Sequence, residues 1–444
     1  MQTPICDFVK KYIKNNPLRM HMPGHKGYNI LGFEEYDVTE FDGADNLYAP
    51  DGIIKESEKN ASQLFNAHTF YSTEGSSLCI KTALFLAIKN SNCKKPIIFA
   101  GRNAHKSFIS ASALLDFDVV WLQDENAENF LSCNISVNYL DGVLSKAKQK
   151  PTAVYITTPD YLGCILDVKG IKQVCEKYGV LLIVDNAHGA YLNFLKDNIH
   201  PIALGADICC DSAHKTLHSL TGGAYLHISK FANKNLIFNA KDALSLFGST
   251  SPSYLILQSL DALNKILSSD YSQKLNDTVL RIEKFKSALT ERGYVFYGNE
   301  PMKITICAKE IGYTGEQLNE LLKSKNIFVE FYDQDYVVLM PTTQTTPDQF
   351  EQLQNRLLSI EIQPKILSLP PKTYLPRKAI SIRSATFSPC ETVSISRAKG
   401  RILADVAVTC PPAVPVIVSG EIIDDFVIER FNYYGITKCK VVKE

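Results

Sequence analysis

Ala206-Asp207-Ile208-Cys209-Cys210-Asp211-Ser212-Ala213-His214-Lys215-Thr216 runs from a short apolar segment into a polar turn, and Gly222-Gly223 follows shortly after. The apolar part, 206–210, reads as a strand, and the polar part places a lysine just beyond its carboxyl end. Working outward, further short apolar strands are expected at 96–100, 119–122, 153–158 and 180–185. Helical stretches lie between several of them: in 76–89 the residues Ile80, Leu84, Ala87 and Ile88 share one face, and 168–178 is a second example. Strands and helices in alternation predict parallel βαβ units and an α/β sheet whose ligand sits at the carboxyl ends of the strands.

The flanks read differently. Residues 1–60 are rich in turn formers, among them Pro23-Gly24, Gly27, Gly32, Gly43 and Pro50-Asp51-Gly52, and are expected to form an extended arm. A large domain is expected over 61–270, with a long helix at 252–267. A smaller α+β domain follows over 271–362, with a helix at 271–291 and strands at 303–308 and 336–340. Pro364, Pro370, Pro371 and Pro376 mark 363–377 as a linker, and 378–444 reads as a β-rich C-terminal domain.

Composition excludes several classes. The 444 residues carry 47 basic and 47 acidic side chains, so the basic excess that phosphate neutralisation demands of a nucleic-acid binder is missing. No apolar run reaches the roughly 18 residues of a membrane span, and the segment from Met1 to Lys14 lacks the apolar core of a signal peptide. The expectation is a cytoplasmic protein with no membrane partner. Twelve cysteines occur without any C-x-x-C, which favours reduced thiols over disulfides or zinc. No metal is expected: His21 and His25 have a zinc-helix spacing, but Pro23 and Gly24 between them forbid the helix. No phosphate-binding P-loop or G-x-G-x-x-G is present.

Four elements carry chemistry. Lys215, beside His214 and the hydroxyls of Ser212 and Thr216, stands where a Schiff-base lysine for pyridoxal phosphate would sit; a surface lysine in a polar loop is the bland alternative. The strand at 180–185 ends in Asp185, followed by Asn186-Ala187-His188-Gly189. Such a carboxylate keeps the pyridine nitrogen of that cofactor protonated, although it can equally cap a helix or bind a metal. Thr73-Glu74-Gly75-Ser76-Ser77 opens a helix and offers N–H groups and hydroxyls to an anion, or simply an N-cap. Finally, Arg102-Asn103-Ala104-His105-Lys106-Ser107 follows a strand and puts His105 where it can stack on a cofactor ring or act as a structural donor.

As a set, these stretches resemble the pyridoxal-phosphate-dependent ornithine/lysine/arginine decarboxylase family, fold type I, in its short bacterial form. Met22-Pro23-Gly24-His25-Lys26-Gly27, the segment 42–50, Ser249-Thr250-Ser251-Pro252-Ser253-Tyr254, Gly400-Arg401-Ile402-Leu403-Ala404 and Gly420-Glu421 fit the same pattern in order. The resemblance implies an α/β large domain with a mostly parallel sheet, plus smaller α+β and C-terminal domains. It implies Lys215 as the Schiff-base lysine, Asp185 as the partner of the pyridine nitrogen and His105 as the ring-stacking residue. Ser76, Ser77, Ser212 and His214 would hold the phosphate, with His188 beside the cofactor. Thr250 and Ser251 would reach the phosphate of a neighbouring subunit, implying a homodimer or a higher homo-oligomer. The reaction implied is decarboxylation of arginine, lysine or ornithine to the amine through an external aldimine and quinonoid. The alternatives are another fold type I reaction, such as transamination or aldol cleavage, and a catalytically silent paralogue. Asp45 and Glu421 are the candidate carboxylates for the distal cation of such a substrate; a solvated surface acid is the bland alternative for each. The chain departs from the family pattern at Glu74, Cys410, Ala413 and Ser419, and the last three bear on the substrate end.

Overall fold

The computed structural model describes residues 1–91, 93–123, 129–406, 408–410 and 414–443. Cys410 is described only as part of a strand, and Pro411, Pro412 and Ala413 lie outside the described residues. The chain divides into two compact units, one of residues 1–93 and 175–274, the other of 94–174 and 275–444.

In chain order the first half contains α1 (Pro4–Lys14), α2 (Ile53–Leu64), β1 (His68–Ser72), α3 (Gly75–Ser91), β2 (Ile97–Gly101), α4 (Lys106–Leu115), β3 (Asp118–Leu122), α5 (Val137–Ser145), β4 (Ala153–Thr157), α6 (Val168–Tyr178), β5 (Leu181–Asp185), β6 (Ile208–Asp211), α7 (Ala213–Thr216) and β7 (Ala224–Ile228). Every strand and helix expected there lies within about two residues of its predicted place. The expected arm holds a helix, α1. Its Ile5 and Val9 are fully buried, and the N–H groups of Ile5 and Cys6 both bond to the Asp261 carboxylate at 3.0 Å.

In the first unit, β5 and β6 pair in parallel, whereas β7 runs antiparallel to both β6 and β1. The antiparallel return has a simple cause. Between β6 and β7 the chain carries only the one-turn helix α7, too short for the crossover that a parallel neighbour needs. Asp185 pairs with Cys210, Asp211 with Tyr225 and Ser72 with Ala224, so the ends of β5, β6 and β1 meet the start of β7 along one edge. The core beneath is apolar: Ile183, Val184, Ile208, Leu226 and, from α3, Ala83, Leu84 and Ala87 are fully buried. Helices α8 (Lys234–Phe238), α9 (Ala240–Ser245) and α10 (Tyr254–Leu267) complete this unit.

In the second unit, β2 lies between β3 and β4, parallel to both. After α11 (Tyr271–Glu291) come β8 (Phe296–Tyr297), β9 (Ile304–Cys307), α12 (Gly315–Ser324), β10 (Phe331–Tyr332), β11 (Tyr336–Leu339) and α13 (Pro347–Leu358). The four strands form an antiparallel sheet in the order β10-β11-β9-β8. Residues 361–377 carry no helix or strand, as the prolines suggest. The C-terminal stretch is less purely β than expected: α14 (Ile382–Phe387), β12 (Cys390–Ser394), β13 (Val408–Cys410), β14 (Val414–Ile417), α15 (Asp425–Tyr433) and β15 (Lys438–Val442) pack around Val416, Ile417, Val427 and Val441. Among the described residues no disulfide forms, and no helix is long and apolar enough to cross a membrane.

Candidate active site

Six of the expected site residues, Lys215, His188, Asp185, Ser212, Ser76 and His214, lie at the shared strand edge of the first unit. Lys215 sits in α7, directly after β6, and its Nζ lies 3.0 Å from Nε2 of His188, which follows β5. Asp185 closes β5, is almost fully buried, and accepts the N–H of Ala187 at 3.2 Å. On the other side, the Ser212 hydroxyl donates to the Ser76 hydroxyl at 2.8 Å, at the start of the seventeen-residue helix α3. That helix start offers free backbone N–H groups and the positive end of its dipole. The close approach needs glycine: Gly222 accepts the N–H of Gly75 at 2.8 Å, and a Cβ on Gly222 would lie 2.7 Å from the Thr73 carbonyl oxygen. His214 donates from Nδ1 to, or through it faces, the carbonyl of Gly223 at 3.0 Å.

Beneath this edge lies a network that sequence reasoning missed. Asp211 is fully buried, as are His200 and His227, and its Oδ2 is 2.9 Å from Nε2 of the former and 3.2 Å from Nε2 of the latter. The Asn186 amide and the Cys209 thiol donate to its Oδ1 at 2.8 and 3.3 Å. Nδ1 of His200 accepts the Ile202 N–H at 3.3 Å, which leaves the proton on Nε2, facing Asp211. Nδ1 of His227 faces the Thr69 hydroxyl at 2.9 Å. Burial alone would raise the Asp211 pKa, but the two imidazoles hold its carboxyl far below the usual range. Among the described residues His200, Cys209 and Asp211 are the one group spaced to hold a metal. The His200 tautomer argues for a hydrogen-bonded cluster instead, because a metal would need the lone pair where the proton sits. Through Asn186 the cluster fixes the end of β5 next to Asp185, and through the chain itself it fixes Ser212.

Two family models account for most of the chain: "Orn/Lys/Arg decarboxylase, major domain" over residues 3–308, and "Orn/Lys/Arg decarboxylase, C-terminal domain" over 362–437. The chain belongs to the Orn/Lys/Arg decarboxylase family. An arginine decarboxylase of Bacillus subtilis is 28% identical, with 97% of this chain and 93% of that protein covered. The Escherichia coli constitutive lysine decarboxylase shares the fold with a TM-score of 0.78 at 18% identity, covering 100% of this chain and 82% of that one. The lysine decarboxylase of Francisella novicida does so with a TM-score of 0.81 at 16% identity, covering 99% and 81%. A NifS-like protein matches 81% of this chain with a TM-score of 0.56, in keeping with fold type I.

Within this decarboxylase fold the donor set fits pyridoxal phosphate. A lysine amine, a buried carboxylate and two hydroxyls at a helix start are the groups its aldehyde, ring nitrogen and phosphate require. One more fits: the Thr216 hydroxyl, adjacent to Lys215, is buried with no hydrogen-bond partner among the described residues. Its place in the lysine motif was the available signal. Ser77 occupies the first turn of α3, next to Ser76.

The remaining expected residues stand as follows. Thr250 and Ser251 are exposed, and the N–H of the preceding Ser249 donates to Glu74 at 2.5 Å. The unexpected carboxylate of Glu74 thus tethers the 249–251 segment to the start of α3. His105 belongs to the second unit and caps α4, where its Nδ1 accepts the Ser107 N–H at 3.1 Å. Asp45 and Glu421 are both engaged by their own chain. The Asp45 carboxylate takes the N–H groups of Asn46, Asp51, Gly52 and Ile54 at 2.8–3.0 Å and so caps α2. Although burial works against it, those donors hold its pKa below the usual range. Glu421 is buried in the second unit, 3.1 Å from the Arg102 guanidinium and 2.8 Å from the Val418 N–H. Burial raises its pKa, and Arg102 opposes the rise.

Proposed function

We propose that the protein decarboxylates a basic amino acid, arginine, lysine or ornithine, with pyridoxal phosphate as cofactor and as a homodimer or larger homo-oligomer. The observation that carries this reading is the Lys215–His188 contact at the strand edge shared with Asp185, Ser76 and Ser212. When bound, pyridoxal phosphate supplies the electron sink that lets the α-carboxylate leave as carbon dioxide.

The protein's share is positioning and proton handling. At 3.0 Å, Lys215 Nζ and His188 Nε2 share one hydrogen, so the imidazole can hold the proton that the lysine must shed to act as a nucleophile and return it later. Asp185, buried and fixed by the Ala187 N–H, would be the carboxylate that keeps the ring nitrogen protonated. Ser76, Ser77, Ser212, His214 and the start of α3 would hold the phosphate. His105 would face the ring, while Thr250 and Ser251, exposed here, would reach the phosphate of a second subunit.

The test is incubation of the purified protein with pyridoxal phosphate and each basic amino acid, with identification of the products. The expected outcome is one amine and carbon dioxide in equal amounts. A keto acid would point to transamination and overturn the proposal. Lys215→Ala should abolish turnover and the borohydride-fixable cofactor adduct; an adduct on another lysine would refute the assignment.

A further inference from the structure

A groove of about 570 Å³ lies in the second unit, between helix α12, the edge strand β10 and the residues flanking it. Its lining is unusual in charge. Glu316, Glu320, Glu330 and Asp333 face a single base, Lys323, and that base lies 3.7 Å from Glu320. Three carboxylates are therefore left over. Glu330 accepts the Tyr161 hydroxyl at 3.1 Å. Asp333 is only 7% exposed, and its Oδ1 takes the N–H groups of Asp335 and Tyr336 at 2.7 Å, yet no ion pair of the described residues includes it. Lys309, the cation whose charge acts on Asp333, is committed to Asp335 at 2.7 Å and to the Tyr433 hydroxyl.

The groove also has aromatic walls. Phe328 is 76% exposed and Tyr332 41%, and Phe331, Tyr161 and Tyr434 line the same space. Aromatic faces beside uncompensated carboxylates are the chemistry that recognises an organic ammonium. A metal ion is the poorer fit, because it needs ligand atoms converging on one point, and among the described residues these carboxylates form no such group. Carboxylates spread along a helix and a strand suit an elongated cation.

We propose that this groove is a binding site, separate from the lysine site, for a linear aliphatic amine, with its ammonium groups on Glu316, Glu330 and Asp333 and its methylenes on Phe328 and Tyr332. The site does not depend on the proposed function, although that function would make its ligand class the class of the reaction product. Burial, reinforced by the Asp335 carboxylate and opposed by the Asp335 and Tyr336 N–H donors and by Lys309, pushes the Asp333 carboxyl up to about 7. An ammonium seated there should lower it and release protons near neutral pH.

Calorimetric titration of the cofactor-loaded protein with spermidine, against 1,5-pentanediol as the neutral analogue, tests this. Binding of spermidine alone is expected, tightening as the pH rises through about 7. The double variant Glu316→Gln/Glu330→Gln should weaken it roughly 10-fold or more, leaving cofactor absorbance and the turnover of the amine-free enzyme unchanged. Asp333→Asn, which can still accept both N–H groups, should remove the pH dependence. Equal binding of the diol, or spermidine binding unaffected by both variants, would overturn the proposal. So would a raised KM for amino-acid substrates in the double variant without loss of a separate amine-binding event, since the groove would then belong to the substrate path. Because binding is read directly, failure of the decarboxylase reading would leave this result intact.

Discussion

Two buried aspartates, one in each unit, end up in opposite states. Asp211 is surrounded by two imidazoles, an amide and a thiol, and its carboxyl is held far below the usual range. Asp333 is nearly as buried, has two backbone N–H donors and no cation of its own, and is pushed up to about 7. Burial is common to both, so the donors decide. A buried carboxylate that meets enough donors is a structural anchor, and one that does not is a group waiting for a proton or a cation.

The most severe test of the anchor is Asp211→Ala. It strands two ring N–H groups and the Asn186 amide in the core, and should destabilise the protein by about 3 kcal/mol or more in denaturant unfolding. A loss below about 1 kcal/mol would mean that the cluster contributes little. The pH dependence has a definite sign. A depressed folded pKa gives stability that is present above the unfolded value of about 4 and lost as the pH falls towards the folded one, so wild type and variant should converge only in strong acid.

Glu421→Gln comes next, because it leaves Arg102 as a buried cation without its counter-charge. We expect a loss of about 2 to 3 kcal/mol at pH 7, measured by thermal unfolding. If stability is untouched and only kcat/KM for the basic substrate falls, the carboxylate serves the substrate rather than Arg102.

Asp333 shows the reverse sign. Its raised folded pKa means that the native state binds the extra proton between about pH 4 and 7, so stability falls as the pH rises across that window, by at most about 1.4 kcal/mol per unit. Asp333→Asn should flatten that fall; an unchanged profile would mean that another group is responsible. The smallest effect is expected at Asp45→Asn, which keeps a capping acceptor but loses the charge at the start of α2. About 1 kcal/mol of stability with unaltered kcat/KM marks it as a cap alone, whereas a tenfold drop in kcat/KM would restore it as a substrate group.

Much of the lysine site is legible in sequence because its parts are local. Lys215 follows its own strand, Asp185 ends another, and the Gly75-Ser76-Ser77 turn starts a helix. Asp211 is invisible in that way. It looks like the polar end of an apolar strand, and its partners are brought to it by β7, a strand hidden behind the Gly222-Gly223 turn, and by a loop that follows β5. The Arg102–Glu421 pair is harder still, since its partners stand 319 positions apart. Helix α1 is masked by its lysines, although Ile5 and Val9 have the right spacing to bury one face.

The strands that border the four-stranded sheet have one further consequence. Both outer strands, β8 and β10, are two residues long. An edge that short exposes too few unpaired backbone groups to template a strand from another molecule. The sheet can therefore leave Tyr332 of β10 open to solvent without becoming a seed for aggregation.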